Sequence, residues 1–255
     1  LMVEIERRAY ADRAYFLGDA DFIKVPVKTL VSHNYLQQRM NDYIPGKAGS
    51  SNITGSGKIY ESEETTHISI IDNEGNAVAV TTTLNDSYGS RVVVSGAGFI
   101  LNNQMDDFSI KEGYPNLYGA VGNAANAIAA NKRMLSSMTP TIVLKNKQPY
   151  IIAGSPGGTT ITTSVFQTLL NILEFGLSPD DAVNKPKFHH QWLPDIIHIE
   201  SSFPVSVADQ LKQMGYTVTP RLPIGRTELI VVNRKQEKKI TAIADSRGDD
   251  DAEGY

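Results

Sequence analysis

Hydrophobic and polar positions along the chain change period at residue 65. Before it the pattern is helical. Residues 2–16, MVEIERRAYADRAYF, are amphipathic and heavily charged, and predict a helix ending near Gly18. A second helix is expected at about Thr29–Tyr43, ahead of Pro45. Residues 45–64, PGKAGSSNITGSGKIYESEE, are rich in Gly, Ser and charge and lack any hydrophobic period, so they read as an exposed linker. That stretch is the strong candidate boundary, separating 1–64 from 65–255. From Thr66 the residues alternate through Asp72, turn at Asn73-Glu74-Gly75-Asn76, and continue as AVAVTTTL (77–84), a hairpin of β-branched strands.

Further strands are expected at Thr141–Lys145 and Tyr150–Ala153, around Asn146-Lys147, and at roughly 216–219, 228–233 and 239–244. GSPGG (154–158) opens a helix from about Thr159 to Phe175, ended by Gly176. Ser178-Pro179-Asp180-Asp181 carries cap chemistry for a short helix, and another is expected from Val205 to Met214. Antiparallel strands interleaved with helices imply an α+β layered fold. Residues 102–140 are loop-rich, which inside a compact domain points to a binding surface.

Composition narrows the function more than the fold. The 255 residues carry a net charge of −4, so nothing suggests a nucleic-acid partner. No apolar run reaches the roughly 18–20 residues a membrane span needs. The start is charged and amphipathic, unlike a signal peptide, and reads as the interior of a longer polypeptide. Cysteine is absent, which removes thiol catalysis, disulfides and zinc–thiolate sites, and leaves Ser, Thr, Lys or a carboxylate as possible nucleophiles.

Three features could carry chemistry. Thr65 sits where the linker meets the first strand. A threonine hydroxyl needs a base, and a threonine at a chain terminus has one in its own α-amino group, with a pKa of about 7.7–8. The bland alternative is an ordinary strand start. The glycines Gly157 and Gly158 stand just before a helix, where outward N–H groups could hold an oxyanion; a tight turn would need glycine as well. The polar set Asn85, Asn102-Asn103-Gln104, Asp106-Asp107 and Ser136-Ser137 could read an amino-acid head group, or could be loop chemistry. His189-His190 reads as packing or hydrogen bonding, since neighbours on a strand point to opposite faces. His33 and His198 offer no local metal spacing, and the tail GDDDAEGY lacks the pattern of a calcium loop. No metal or cofactor is expected.

Together these motifs resemble the γ-glutamyltranspeptidase family of the N-terminal-nucleophile hydrolase superfamily. The resemblance runs through ETTHISIIDNEGNAVAVTTTLN, GFILNNQMDDFS, PNLYGAVGNAAN, NKRMLSSMTPTIV, GSPGG and KFHHQWLPD, and covers essentially all of 65–255. AYADRAYFLGDADFIKVP looks like the end of that family's large subunit. The resemblance implies a four-layer αββα sandwich. It also implies self-cleavage of the Glu64–Thr65 bond, giving a large subunit ending at Glu64 and a small catalytic subunit of residues 65–255.

The reaction it implies is transfer of the γ-glutamyl group of glutathione or a related amide to Thr65, then to water, an amino acid or a peptide. Residue by residue, Thr83 is similar to the threonine that orients the nucleophile, and Gly157 and Gly158 match the oxyanion donors. Asn85, Gln104 and Asp107 match the holders of the substrate α-amino group, and Ser136 and Ser137 the pair on its α-carboxylate. Tyr118 lies in a segment that looks like the lid loop of bacterial members. The arginine the family supplies for the carboxylate comes from upstream of this chain. The large subunit is the implied heterodimer partner, and a periplasmic or secreted location rests on the resemblance alone. Two other readings stand beside it: an uncleaved, inactive precursor or fragment, and an acylase of the same fold. The head-group residues argue against the acylase.

Overall fold

The structure, a computed structural model, describes residues 1–51, 65–233 and 239–254. In chain order its elements are α1 (Met2–Phe16), α2 (Val27–Leu30), α3 (His33–Arg39), β1 (Thr65–Ile71), β2 (Ala77–Thr83), β3 (Thr141–Lys145), β4 (Gln148–Gly154), α4 (Thr160–Leu173), α5 (Pro179–Asn184), β5 (Phe188–His189), β6 (Ile197–Glu200), α6 (Val205–Gln213), β7 (Val218–Arg221), β8 (Glu228–Asn233) and β9 (Lys239–Ile243). They divide into two units: Leu1–Glu61 with Gln104–Ser136 and Phe188–Arg221, and Ser62–Asn103 with Ser137–Lys187 and Leu222–Tyr255.

The second unit is a sandwich. Strands β1 and β2 pair antiparallel from Thr65↔Thr83 to Ile71↔Ala77. Their turn is closed by Asp72, whose carboxylate accepts the amides of Glu74 at 3.0 Å and Asn76 at 2.8 Å. A four-stranded antiparallel sheet runs in the order β3-β4-β8-β9. One face of it takes the hairpin: Ile71, Ala77 and Ala79 pack on Ile152, Ile230 and Val232. The other face takes helices: Ile151, Ala153, Leu229 and Val231 pack with Val183 of α5 and with Leu169 and Ile172 of α4. Covered on both sides, β4 runs as consecutive apolar residues instead of alternating. Each fully buried side chain such as Ile151 or Ile152 contributes about 1.5–3 kcal/mol.

The first unit is more ionic. Sheet β5-β6-β7 pairs β5 with β6 antiparallel and β6 with β7 parallel. Its apolar centre joins Val3 of α1 to Ile197, Ile199 and Ala208. Helix α1 also buries Glu4, Glu6, Arg7 and Arg8. The Glu6 carboxylate accepts the His190 amide at 3.0 Å, and burial pushes its pKa well up.

The expected α+β class and most expected elements are present. The single helix expected at Thr29–Tyr43 is instead α2 and α3, because Ser32 turns extended and its hydroxyl accepts the Tyr35 amide as an N-cap. Strands β5 and β6 were not expected: they are short, and the residues of β6 are buried without alternation. Both histidines of the 189–190 pair are buried and hydrogen-bonded, His189 to Gln191 and His190 to Asp195. Of the expected linker, the described part is tied down: the Ala48 amide donates to Met214, the Gly49 amide to Glu4, and Ser51 is buried beside Arg7. Residues 52–64, with Glu64 and the bond to Thr65, lie outside the described residues. Among the described residues no helix is long and apolar enough to cross a membrane.

Lys187 and Asp245 form a buried pair at 2.9 Å, and Asp245 also accepts the Thr227 amide and Arg247. Lys187→Ala strands a buried carboxylate, which costs about 3–5 kcal/mol. Because Arg247 stays in place, the expected loss is at the lower end, about 3 kcal/mol, in denaturant unfolding.

Candidate active site

Thr65 is the first residue of β1 and is buried at 4% exposure. Antiparallel pairing puts Thr83, the last residue of β2, directly opposite. The Thr65 hydroxyl donates to the Thr83 hydroxyl at 3.0 Å. The same Thr83 oxygen accepts the Asn85 amide at 2.9 Å. With its proton turned toward Thr83, the Thr65 oxygen keeps its lone pairs for another partner. Asn85 is buried and takes a left-handed backbone (φ 80°), a conformation asparagine tolerates better than branched residues. Its side-chain amide donates to the Asn103 carbonyl, and the Asn103 side chain accepts the Asp86 amide at 2.9 Å. The segment following β2 is thereby tied to Asn103.

The strand facing this hairpin leads into the glycine turn. β4 ends at Gly154, and α4 starts at Thr160. Between them Gly157 has φ 129° and Gly158 φ 54°, both in the region that disfavours side chains. At Gly157 a Cβ would also meet Thr160 Oγ1 at 2.7 Å and the Gly225 Cα at 3.2 Å. The turn therefore brings unsubstituted backbone to the N-terminus of α4, the positive end of its dipole. Ser137 belongs to the same unit, and its carbonyl accepts from Thr139 at 2.9 Å.

His67, two residues beyond Thr65 on the same face of β1, was not among the expected site residues. Its signal was strand periodicity alone. The ring is buried, bonded to Thr81 at 2.7 Å and Ser69 at 3.1 Å, and burial lowers its pKa to about 4.

Other expected residues belong to the first unit. Gln104 and Asp107 begin and end a single 3-10 turn, Gln104–Asp107. The Asp107 carbonyl accepts the Asn126 amide at 2.7 Å. Burial raises the Asp107 carboxyl to about 7, against the opposing charge of Arg13. Arg13, on α1, was missed by sequence reasoning because nothing local connects positions 13 and 107. The Arg133 guanidinium and amide bind Asp19, and the guanidinium reaches Asp21 as well. That pairing holds the Asp19 carboxyl well below the usual range. Tyr118 is buried at 2% exposure, and its carbonyl accepts the Gln191 side-chain amide at 3.1 Å. Ser136 closes the same segment of this unit. Among the described residues no group of three or more His, Asp or Glu side chains is arranged to hold a metal ion.

The family model for γ-glutamyltranspeptidase matches residues 1–255. The chain belongs to the γ-glutamyltranspeptidase family. The glutathione hydrolase proenzyme of Escherichia coli K12 is 45% identical over 253 residues, covering 98% of this chain and 43% of that protein. A threonine-to-alanine mutant of Helicobacter pylori γ-glutamyltranspeptidase is 50% identical with a TM-score of 0.70, covering 72% of this chain and 100% of that one. A cephalosporin acylase from Bacillus halodurans, 24% identical, superposes with a TM-score of 0.80 over 99% of this chain and shares the fold. The chain thus spans less than half the length of the curated relative from E. coli. The fold expected for the family, the α+β sandwich of the N-terminal-nucleophile hydrolases, is the one its solved relatives share.

Thr83→Val removes the buried oxygen that accepts the Thr65 hydroxyl and the Asn85 amide. The expected destabilisation is about 1–3 kcal/mol. Thr83→Ser, which keeps the oxygen, is expected to recover most of it in thermal unfolding.

Proposed function

We propose that this chain is the catalytic part of a γ-glutamyl transferase/hydrolase whose nucleophile is Thr65, acting with an upstream large subunit. The observation that carries the reading is the Thr65–Thr83 hydroxyl pair at the end of a buried hairpin. It packs on the sheet whose strand β4 runs into the Gly157-Gly158 turn. Family membership supplies the donor class, γ-glutamyl amides such as glutathione.

In the uncut chain the Thr65 Oγ attacks the Glu64 carbonyl. The acyl group shifts from nitrogen to oxygen, and water hydrolyses the ester, freeing the Thr65 amine and the Glu64 carboxylate. That amine then serves as the base. It takes the hydroxyl proton as Oγ attacks the γ-carbonyl of the donor, Gly157 and Gly158 N–H groups hold the oxyanion, and the departing amine receives the proton. The γ-glutamyl ester on Thr65 passes to water, an amino acid or a peptide. Asn85, Gln104 and Asp107 hold the donor ammonium, and Ser136 and Ser137 hold its carboxylate. Tyr118 belongs to the covering loop.

The outer face of the hairpin supports the need for a partner. Ile68, Ile70, Val78 and Val80 are each 45–52% exposed there, an apolar stripe that a soluble protein covers. The E. coli relative, of which this chain matches 43%, has the length to supply a cover. A solved relative whose whole chain aligns with 72% of this one supports cleavage into subunits. The likeness to the acylase supports a fold and no substrate. Family resemblance also favours a periplasmic or secreted location.

In the full-length protein, Thr65→Ala is expected to remain one uncut chain with no turnover of a γ-glutamyl anilide; a variant that still splits in two overturns the assignment. Asp107 adds a pH signature. A carboxyl at about 7 is neutral below that pH and binds an ammonium only above it, so the donor KM is expected to fall as pH rises from about 6 to 8. The Thr65 amine shapes kcat instead, and Asp107→Asn is expected to raise KM and flatten only its pH dependence.

A further inference from the structure

The inner face of β1 holds an imidazole where the other end of the sandwich holds Ile71. His67 is 6% exposed, and its ring fills the space beside Gly154. A Cβ on Gly154 would lie 2.0 Å from His67 Cε1, 2.2 Å from Nδ1 and 2.4 Å from Nε2. Nothing in the backbone of Gly154 calls for glycine: it is the last residue of strand β4, outside the positive-φ set. The missing side chain is explained by the ring.

The hydrogen bonds around the ring fix its tautomer. The Ser69 hydroxyl donates its one proton to the Glu228 carbonyl at 3.3 Å. Toward His67 it can therefore only accept, so Nε2 carries the proton. Nδ1 is left as the acceptor of the Thr81 hydroxyl at 2.7 Å. One neutral ring thus joins β1, β2 and, through Ser69, β8, while resting on β4. Strands β1 and β2 carry Thr65 and Thr83. Strand β4 leads into the turn, whose first glycine, Gly157, lies three residues past Gly154.

We propose that His67, seated on Gly154, is a positioning residue that sets the spacing between the Thr65–Thr83 pair and the Gly157-Gly158 turn. The proposal rests on the assignment of Thr65 as nucleophile and of the diglycine as oxyanion donor. The ring works as a spacer of fixed thickness held by donor and acceptor bonds, not as an acid or base. Burial, which lowers its pKa to about 4, keeps it neutral across the working range. Misplacement of a nucleophile by about 1 Å can cost roughly 10²-fold in rate.

The test uses the full-length proenzyme, with turnover counted per cleaved small subunit so that slow maturation is not read as slow catalysis. His67→Ala and Gly154→Ala are made singly and together. His67→Ala is expected to lower kcat about tenfold or more while the donor KM stays within about twofold. Gly154→Ala is expected to be as poor or worse, since its methyl meets the ring. In the double variant the methyl occupies space the ring has left, so kcat should recover at least about tenfold relative to Gly154→Ala. Losses that simply multiply in the double variant overturn the proposal. So does a His67→Ala effect confined to KM. If Gly154→Ala does not fold, the double variant is expected to fold; a double variant that also fails counts against the stacking. Failure of the underlying reading looks different: Thr65→Ala would then retain turnover whatever His67 does.

Discussion

The second unit depends on satisfying a polar strip between two β-layers. The hairpin turns Thr65, His67 and Ser69 of β1, with Thr81 and Thr83 of β2, toward the four-stranded sheet. An unpaired hydroxyl or imidazole there costs on the order of 1–3 kcal/mol. Each has a partner: Thr65 with Thr83, His67 with Thr81 and Ser69, Ser69 with the Glu228 carbonyl. These pairs are directional, so they specify the register that apolar packing alone would leave looser. At the turn end the strip gives way to Ile71, Ala77 and Ala79 on Ile152, Ile230 and Val232. The sandwich is thus apolar at one end and hydroxyl-lined at the other, and the hydroxyl-lined end is where Thr65 begins β1.

The two units use different physical means. The second is held by apolar layers and a buried ion cluster in which Lys187 and Arg247 both meet Asp245. The first concentrates charge inside, with Glu4, Arg7 and Arg8 of α1 in a network that reaches Asp42 and Asp195. Such networks carry a desolvation cost that their attraction offsets only when geometry is good, and breaking one partner is expensive. Charged residues on α1 therefore do not mark a solvent face. Elsewhere in this unit burial raises Asp107, outweighing the opposing charge of Arg13.

Much of the second unit was legible in advance. Alternation over 65–84 with a turn-forming DNEGN, the apolar run of β4, and the caps at Ser178 and Gly176 are local signals, and local rules read them. The less legible elements had weak or misleading local signals. Strands β5 and β6 are short, and the latter is buried on both faces, so neither shows a period. Between Thr29 and Tyr43 the helical pattern is continuous, but Ser32 caps a second start. On the site, Thr83 opposite Thr65 and the conformation of the diglycine turn follow from hairpin register and backbone sterics. His67 against Gly154, Arg13 beside Asp107 and Arg133 spent on Asp19 join positions far apart in the chain, and no local pattern encodes them.

By itself the sequence determined the α+β class, the order of most elements, the family and the identity of the candidate nucleophile, because periodicity, turn chemistry and motif order are properties of neighbours along the chain. The tertiary structure decided what those residues meet. It set Thr65 on Thr83, made His67 a neutral spacer, raised the Glu6 and Asp107 carboxyls and held that of Asp19 down. Burial, dielectric and hydrogen-bond partners are set by residues brought together in space, and these decide whether a threonine at the start of a strand is only that or the head of an active site.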